Sequence, residues 1–175
     1  MWESNRGVGG PGAAAWTTLI GMRTRKGWRE KMDNPNLPKL VEILPNMKKR
    51  FGAGTMLVPS PKEVDACIRK VREGSVTTVS QIRNFLAGKY SVDATCPLTT
   101  GIFIRIAAEA AEEDASKGKT KITPYWRVVK DDGSLNPKFP GGVERQAEKL
   151  RAEGHRILPG AGKRPPRVAL GDQLI

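Results

Sequence analysis

Three successive helix signals in the middle of the chain constrain its fold more than any other feature. Ser60-Pro61-Lys62-Glu63 supplies an N-cap, a first-turn proline and the acid of a capping box. Val64, Cys67, Ile68 and Val71 follow at helical spacing, which places Cys67 in the core, and Gly74 ends the helix. Thr78 and Gln81 make a second box within Val76 to Ile82, with Ile82, Phe85 and Leu86 as the buried stripe. A third helix is predicted from about Pro97 to Asp114. Leu98, Ile102, Ile106 and Ala110 form one face of it, flanked by Phe103 and Ala107. The other side carries Thr100, Gly101, Ile104 and Ala108, with Arg105 at its border. A solvated face is normally charged, whereas this one is small and weakly polar. Small residues allow close approach to another surface, either a nucleic-acid groove or the N-terminal part of the chain. Helix, turn, helix and turn into a third helix is a helix-turn-helix pattern.

Charge points to the kind of partner. Of 175 residues, 30 are Lys or Arg and 18 are Asp or Glu, a formal net charge of +12, which favours a polyanion. Nucleic acid is expected rather than a membrane, because no apolar run approaches the roughly 20 residues of a spanning helix and the basic residues are spread along the chain. Two cysteines, Cys67 and Cys96, imply no disulfide framework, and a single histidine, His155, leaves no Cys/His metal site. The expected location is cytoplasmic, associated with the nucleoid, with neither metal nor cofactor.

Four segments are expected. Residues 1–21 are rich in Gly and Ala and read as disordered. The apolar stretch from Ala13 to Ile20 is short for a signal peptide, and Met22 is an alternative start. Residues 22–54 read as a basic, partly ordered arm: nine basic and three acidic residues lie between Arg23 and Arg50, with Pro35, Pro38 and Pro45 breaking any long helix. Residues 55–154 are the main domain, whose last helix buries Val143, Ala147 and Leu150 and stops at Gly154. Residues 155–175, with Lys163, Arg164 and Arg167, read as a flexible basic tail.

Within the main domain, Thr123-Pro124-Tyr125-Trp126-Arg127-Val128-Val129 is followed by Asp132-Gly133-Ser134-Leu135 and by Pro140-Gly141-Gly142-Val143-Glu144-Arg145. These elements, in this order, resemble the active-site segment of the O6-alkylguanine-DNA alkyltransferases, in which Pro-Cys-His-Arg-Val-Val precedes Gly-Gly-x-Glu-Arg. The resemblance covers roughly residues 60–154. It implies an α/β, mainly helical fold: a winged-helix-like helix-turn-helix DNA-binding domain of the alkyltransferase C-terminal type, with a flexible N-terminal arm. Tyr125 stands where the family has its alkyl-accepting cysteine, and Trp126 where it has histidine. A phenol with a pKa of about 10 beside an indole without a basic nitrogen is no substitute for an activated thiol. The chain is therefore most similar to the alkyltransferase-like branch, which lacks the cysteine and marks alkylated guanine for other repair proteins, although that branch keeps the histidine.

The resemblance also supplies candidate site residues. Pro124, Tyr125, Trp126, Arg127, Phe139 and Glu144 are expected to line a lesion pocket, with Phe139 replacing a family tyrosine. Tyr125 and Trp126 either contact an extruded base or fill a relict pocket as core. Glu144 either keeps a pocket role or is a first-turn acid favoured by the helix dipole. Gly101 matches a glycine of the recognition helix that enters the minor groove, so Leu98, Thr100, Gly101, Ile104 and Arg105 are expected to contact DNA. Leu98 replaces the arginine that fills the space left by a flipped nucleotide; it is either an apolar wedge or part of the buried stripe. Val79 replaces a tyrosine that helps rotate the target phosphate. Lys117, Lys119 and Lys121 alternate in a loop that either binds phosphates or is simply solvated.

The expected partner is double-stranded DNA, plain or carrying O6-alkylguanine, together with an unidentified repair protein. The expected role is lesion recognition without catalysis. Two alternatives remain: an active methyltransferase using Cys96, whose place at a helix start can lower a thiol pKa, and an architectural or regulatory DNA binder without lesion preference.

Overall fold

Both capping boxes form, and they fix the centre of the molecule. The computed structural model describes residues 26–169; the expectation for residues 1–21 lies outside them. The Ser60 hydroxyl accepts the Glu63 amide and Glu63 reaches back to the Ser60 amide, starting helix α3 (Pro61–Arg69). The Thr78–Gln81 pair does the same for α4 (Val79–Tyr90). A short turn then leads into the twenty-residue α5 (Pro97–Ser116). The architecture is α/β and mainly helical, with α5 packed against α3 and α4 and with α6 (Gly142–Ala152) on the far side of the 125–129 segment.

The face of α5 that is buried differs from expectation. Thr100, Phe103, Ile104, Ala107, Ala108, Ala110 and Ala111 are buried, whereas Leu98 and Ile102 are exposed. Apolar residues surround this helix, so periodicity alone does not select the inward side. The alanine ridge does, because Ala107, Ala108 and Ala111 let neighbouring backbones approach closely. Phe85, expected in the buried stripe of α4, is likewise half-exposed, with the Lys70 ammonium 5.0 Å from its ring centroid.

The basic arm is built into the fold. Helical turn α1 (Trp28–Lys31) lies on α5, where Arg29 pairs with the buried Asp114 at 3.5 Å and Met32 enters the central core. Strand β1 (Lys39–Glu42) pairs antiparallel with β2 (Thr55–Val58), which pairs in parallel with β4 (Ala94–Thr95). A 3-10 turn (Pro45–Met47) and helical turn α2 (Lys48–Phe51) join β1 to β2. Ile43, Met56 and Ala94 form a small core beneath them.

The predicted flexible tail is also ordered through residue 169. β6 (Ile157–Leu158) and β7 (Arg167–Val168) pair antiparallel, and the Val168 amide donates to the Gly133 carbonyl at 2.9 Å. Val168 joins Val76, Val129, Leu135, Ala147 and Leu150 in a second core. His155 is buried, and among the described residues neither of its ring nitrogens has a hydrogen-bond partner.

A buried polar hub joins these parts. Arg127 forks onto Glu153 through Nε and a terminal nitrogen at 2.8 Å each, and its other terminal nitrogen donates to the Val71 carbonyl at 2.7 Å. Trp126 Nε1 donates to the same Glu153 carboxylate at 2.7 Å. Gln146 adds a second tie: its amide nitrogen donates to the Trp126 and Val128 carbonyls, and its oxygen accepts the Asn136 amide. β3 (Thr77–Thr78) and β5 (Val128–Val129), which pair in parallel, carry the connection back to α4.

Burial pushes the Glu153 pKa up, but hydrogen bonds from Arg127 and Trp126 outweigh it and the net shift is downward. A carboxylate whose folded pKa lies below its unfolded value stabilises the fold above the unfolded pKa, and that stability is lost as pH falls through the folded value. Glu153→Gln should destabilise the protein at pH 7 by about 3 kcal/mol, because it leaves the Arg127 charge buried without its partner. The difference from the wild type should shrink below about pH 4, as read from denaturant melts at a series of pH values.

Candidate nucleic-acid interface

The exposed stripe of α5 consists of Leu98, Gly101, Ile102 and Arg105, at the spacing of one helix face. Leu98 is 71% exposed and Ile102 48%. A Cβ added at Gly101 would meet no atom within 4 Å, so the backbone there is open to a partner. The stripe forms one wall of a cleft of about 700 Å³. Val79 and the segment with Lys130, Asn136, Pro137 and Lys138 line it as well, together with Trp28 and Lys31 of α1. Lys31 sits 3.7 Å from the Trp28 ring centroid. Apolar residues at the centre and Lys31, Arg105, Lys130 and Lys138 around them give the surface a greasy floor and a cationic rim.

Two residues expected to contact DNA are removed from that role. Thr100 is fully buried, its hydroxyl donating to the Cys96 carbonyl at 2.7 Å, and Ile104 belongs to the central core. The loop lysines are also partly committed. Lys117 pairs with Glu113 at 2.6 Å and Lys119 with the buried Asp114 at 2.8 Å, while Lys121 is exposed. The Lys119 hydrogen bond is the main cause that holds the Asp114 pKa below the ordinary carboxylate range. Glu113 and Asp114 also hold the arm, through the Arg29 amide and guanidinium.

The expected lesion pocket is not an open one. Tyr125 is 1% exposed and packs edge-to-face against Phe139 and Trp126, with ring centroids 5.4 and 5.5 Å apart. Its hydroxyl donates to Glu112 Oε1 at 2.7 Å, and Arg145 donates to Glu112 Oε2 at 2.9 Å. Pro124 is buried beside it. Trp126 and Arg127 are turned to Glu153, and the Lys149 ammonium lies 4.3 Å from the centroid of the Trp126 ring. Glu144 is exposed in the first turn of α6, in the solvated role.

Burial first, and then the Glu112 carboxylate, push the Tyr125 pKa well above the usual phenol range. At neutral pH this side chain is a hydrogen-bond donor and not a nucleophile. Cys96 is the N-cap residue of α5 and half-exposed.

Sequence reasoning missed Glu112, Gln146 and Glu153, whose partners are distant in the chain, and it missed Lys31, Lys130 and Lys138, which reach the cleft only by folding. No protein-family model and no curated protein matches the chain. Among solved structures, it is similar to S. pombe Atl1 in complex with damaged DNA containing O6-carboxymethylguanine. The identity is 18%, the match covers 66% of this chain and 93% of the other, and the TM-score is 0.46.

Tyr125→Phe keeps the packing and deletes one charge-assisted hydrogen bond, so it should cost about 1.5–3 kcal/mol at pH 7. A phenol whose folded pKa is raised stabilises fully below its unfolded value of about 10 and loses that contribution at higher pH. The alkaline decline in stability should therefore be shallower in Tyr125→Phe than in the wild type, measured by denaturant melts between pH 7 and 11.

Proposed function

We propose that the protein binds double-stranded DNA without catalysis, seating the N-terminal half of α5 in the minor groove with Leu98 as an apolar wedge. The exposure of Leu98 carries this reading. An isolated leucine on a soluble surface needs no explanation, but this one projects beside Gly101 and Ile102 from a helix face rimmed by cations. Apolar side chains that unstack base steps are a recurring minor-groove device, and the phosphates on either side suit the rim.

The resemblance of the 123–145 segment to the alkyltransferases favours O6-alkylguanine as the preferred lesion. The burial of Tyr125 favours the cleft between α5 and the 130–138 segment over Tyr125 as the place of inspection. Val79 and Leu98 there offer apolar walls and Asn136 a polar group to a base drawn out of the stack. The buried Tyr125–Glu112 pair favours a second reading, in which the protein binds DNA without lesion preference. Competition between plain and O6-methylguanine duplexes at fixed salt separates the two: preference for the modified duplex supports lesion recognition, and equal affinity supports the second reading.

Leu98→Ala should weaken duplex binding roughly ten- to a hundredfold, the equivalent of about 1.5–3 kcal/mol of lost apolar burial. Gly101→Glu should weaken it at least as much while leaving the melting temperature unchanged or higher, since the position is open and glycine is a poor helix former. Unchanged affinity in both variants, with folding intact, would show that this face does not meet DNA.

No label should pass to the protein from DNA carrying labelled O6-methylguanine, because neither Tyr125 nor Trp126 offers an ionisable nucleophile at neutral pH. Label recovered on the wild-type chain would overturn the non-catalytic reading, and peptide mapping would show whether Cys96 had accepted it.

A further inference from the structure

α2 carries a cluster of cations, and its last residue, Phe51, packs on the same small core as Cys96, the N-cap of α5. Lys48, Lys49 and Arg50 are exposed in this short helical turn. Among the described residues none of the three pairs with a carboxylate. The Arg50 guanidinium lies 5.2 Å from the centroid of the Phe51 ring, and Arg83 of α4 lies 5.6 Å from the same centroid. Two like charges therefore share one aromatic ring. Phe51 packs on the core beside Cys96, the N-cap of α5, and Arg83 Nε donates to the Thr95 carbonyl at 3.0 Å. The Asp131 carboxylate acts on Arg83 through charge, but its hydrogen bonds go to the Ser80 amide at 3.2 Å and the Ser80 hydroxyl at 2.7 Å.

Repulsion between two guanidinium groups is relieved by an anion placed between them. Three independent features favour one here. Arginine forks match phosphate oxygens in geometry as well as charge. The first turn of α5, whose N-cap Cys96 packs on the same small core as Phe51, has no side-chain cap for its amides. Arg83 also lies one turn after Val79 on the same face of α4, and Val79 lines the cleft with Leu98. The cluster is thus continuous with the surface that carries the wedge.

We propose that Arg50 and Arg83, stacked on Phe51 beside the start of α5, form a clamp for a backbone phosphate of the DNA strand flanking the Leu98 wedge. The proposal rests on the DNA-binding reading and extends it to the arm, a part of the chain that carries none of the alkyltransferase motifs. The arm then serves as a second DNA-contacting element besides α5.

Arg50 is the residue to test, because it is exposed and makes no hydrogen bond that the fold needs. Affinity for a duplex oligonucleotide would be measured across a range of salt for the wild type, Arg50→Ala, Arg50→Lys and Arg72→Ala, with folding checked by thermal melting. Arg72→Ala makes the same charge change on the turn next to Val71. Loss of one phosphate contact should lower the slope of log affinity against log salt by about 0.9 in Arg50→Ala. Arg50→Lys should retain the slope, and Arg72→Ala should match the wild type. A hydroxyl-radical footprint of the Arg50→Ala complex should lose protection on one flank only. An unchanged slope in Arg50→Ala, or an equal loss in Arg72→Ala, overturns the clamp while leaving DNA binding in place. Failure of the wild type to bind duplex DNA overturns the underlying reading and the clamp with it.

Discussion

The ion pair between Arg127 and Glu153 is the constraint on which the other parts of this fold depend. It brings together the turn that follows Pro124, the carbonyl of Val71 at the end of α3, and the end of α6, and it uses nearly all the polar capacity of both side chains. Both are largely removed from water, so neither charge tolerates loss of its partner. The Trp126 indole joins the same carboxylate and is thereby turned away from Tyr125's hydroxyl. The indole is thereby a structural donor, fixed to the end of α6.

Tyr125 is likewise held as part of the structure. Its ring is held between Phe139 and Trp126, its hydroxyl is satisfied by Glu112, and Glu112 is in turn held by Arg145. A carboxylate and a guanidinium beside a thiol would compete in their effects on its ionisation. Beside a phenol they fix a neutral donor. The segment that most resembles an alkyl acceptor therefore stiffens the core, while the open cleft lies on the other side of the 130–138 segment, against α5.

Local signals in the sequence were read correctly where the deciding interactions are themselves local. The two capping boxes, the start of α5 after Cys96 and the glycine turn after α6 involve residues a few positions apart. Gly154, for instance, adopts a φ of +86° after the last helical residues. The inward face of α5 was misread because Leu98 and Ile102 are as apolar as the residues that are buried; only the packing partners distinguish them. The strands of the arm and of the tail are not legible in the sequence, because each is only two to four residues long, too short for a periodic pattern. Their order comes from pairing with distant segments, Arg167 with Ser134 and Lys39 with Val58. Glu112, Gln146 and Glu153 were missed for a related reason: a polar residue on a helix looks solvated until its partner is known.

Charge along α5 is divided in a way that orients a polyanion. The C-terminal half carries Glu109, Glu112, Glu113 and Asp114, and these acids are paired with Arg105, Arg145, Lys117, Arg29 and Lys119. The cations there are largely spent on internal partners, and phosphate approaching that end would meet carboxylates. The N-terminal half has no acid in its first turn, carries the positive end of the helix dipole, and lines a cleft together with Lys130 and Lys138. A net positive charge spread evenly over the surface would attract DNA without placing it. The acids of α5 are thus neutralised by internal partners in its C-terminal half, and the exposed Leu98 stands in the half whose first turn carries no acid.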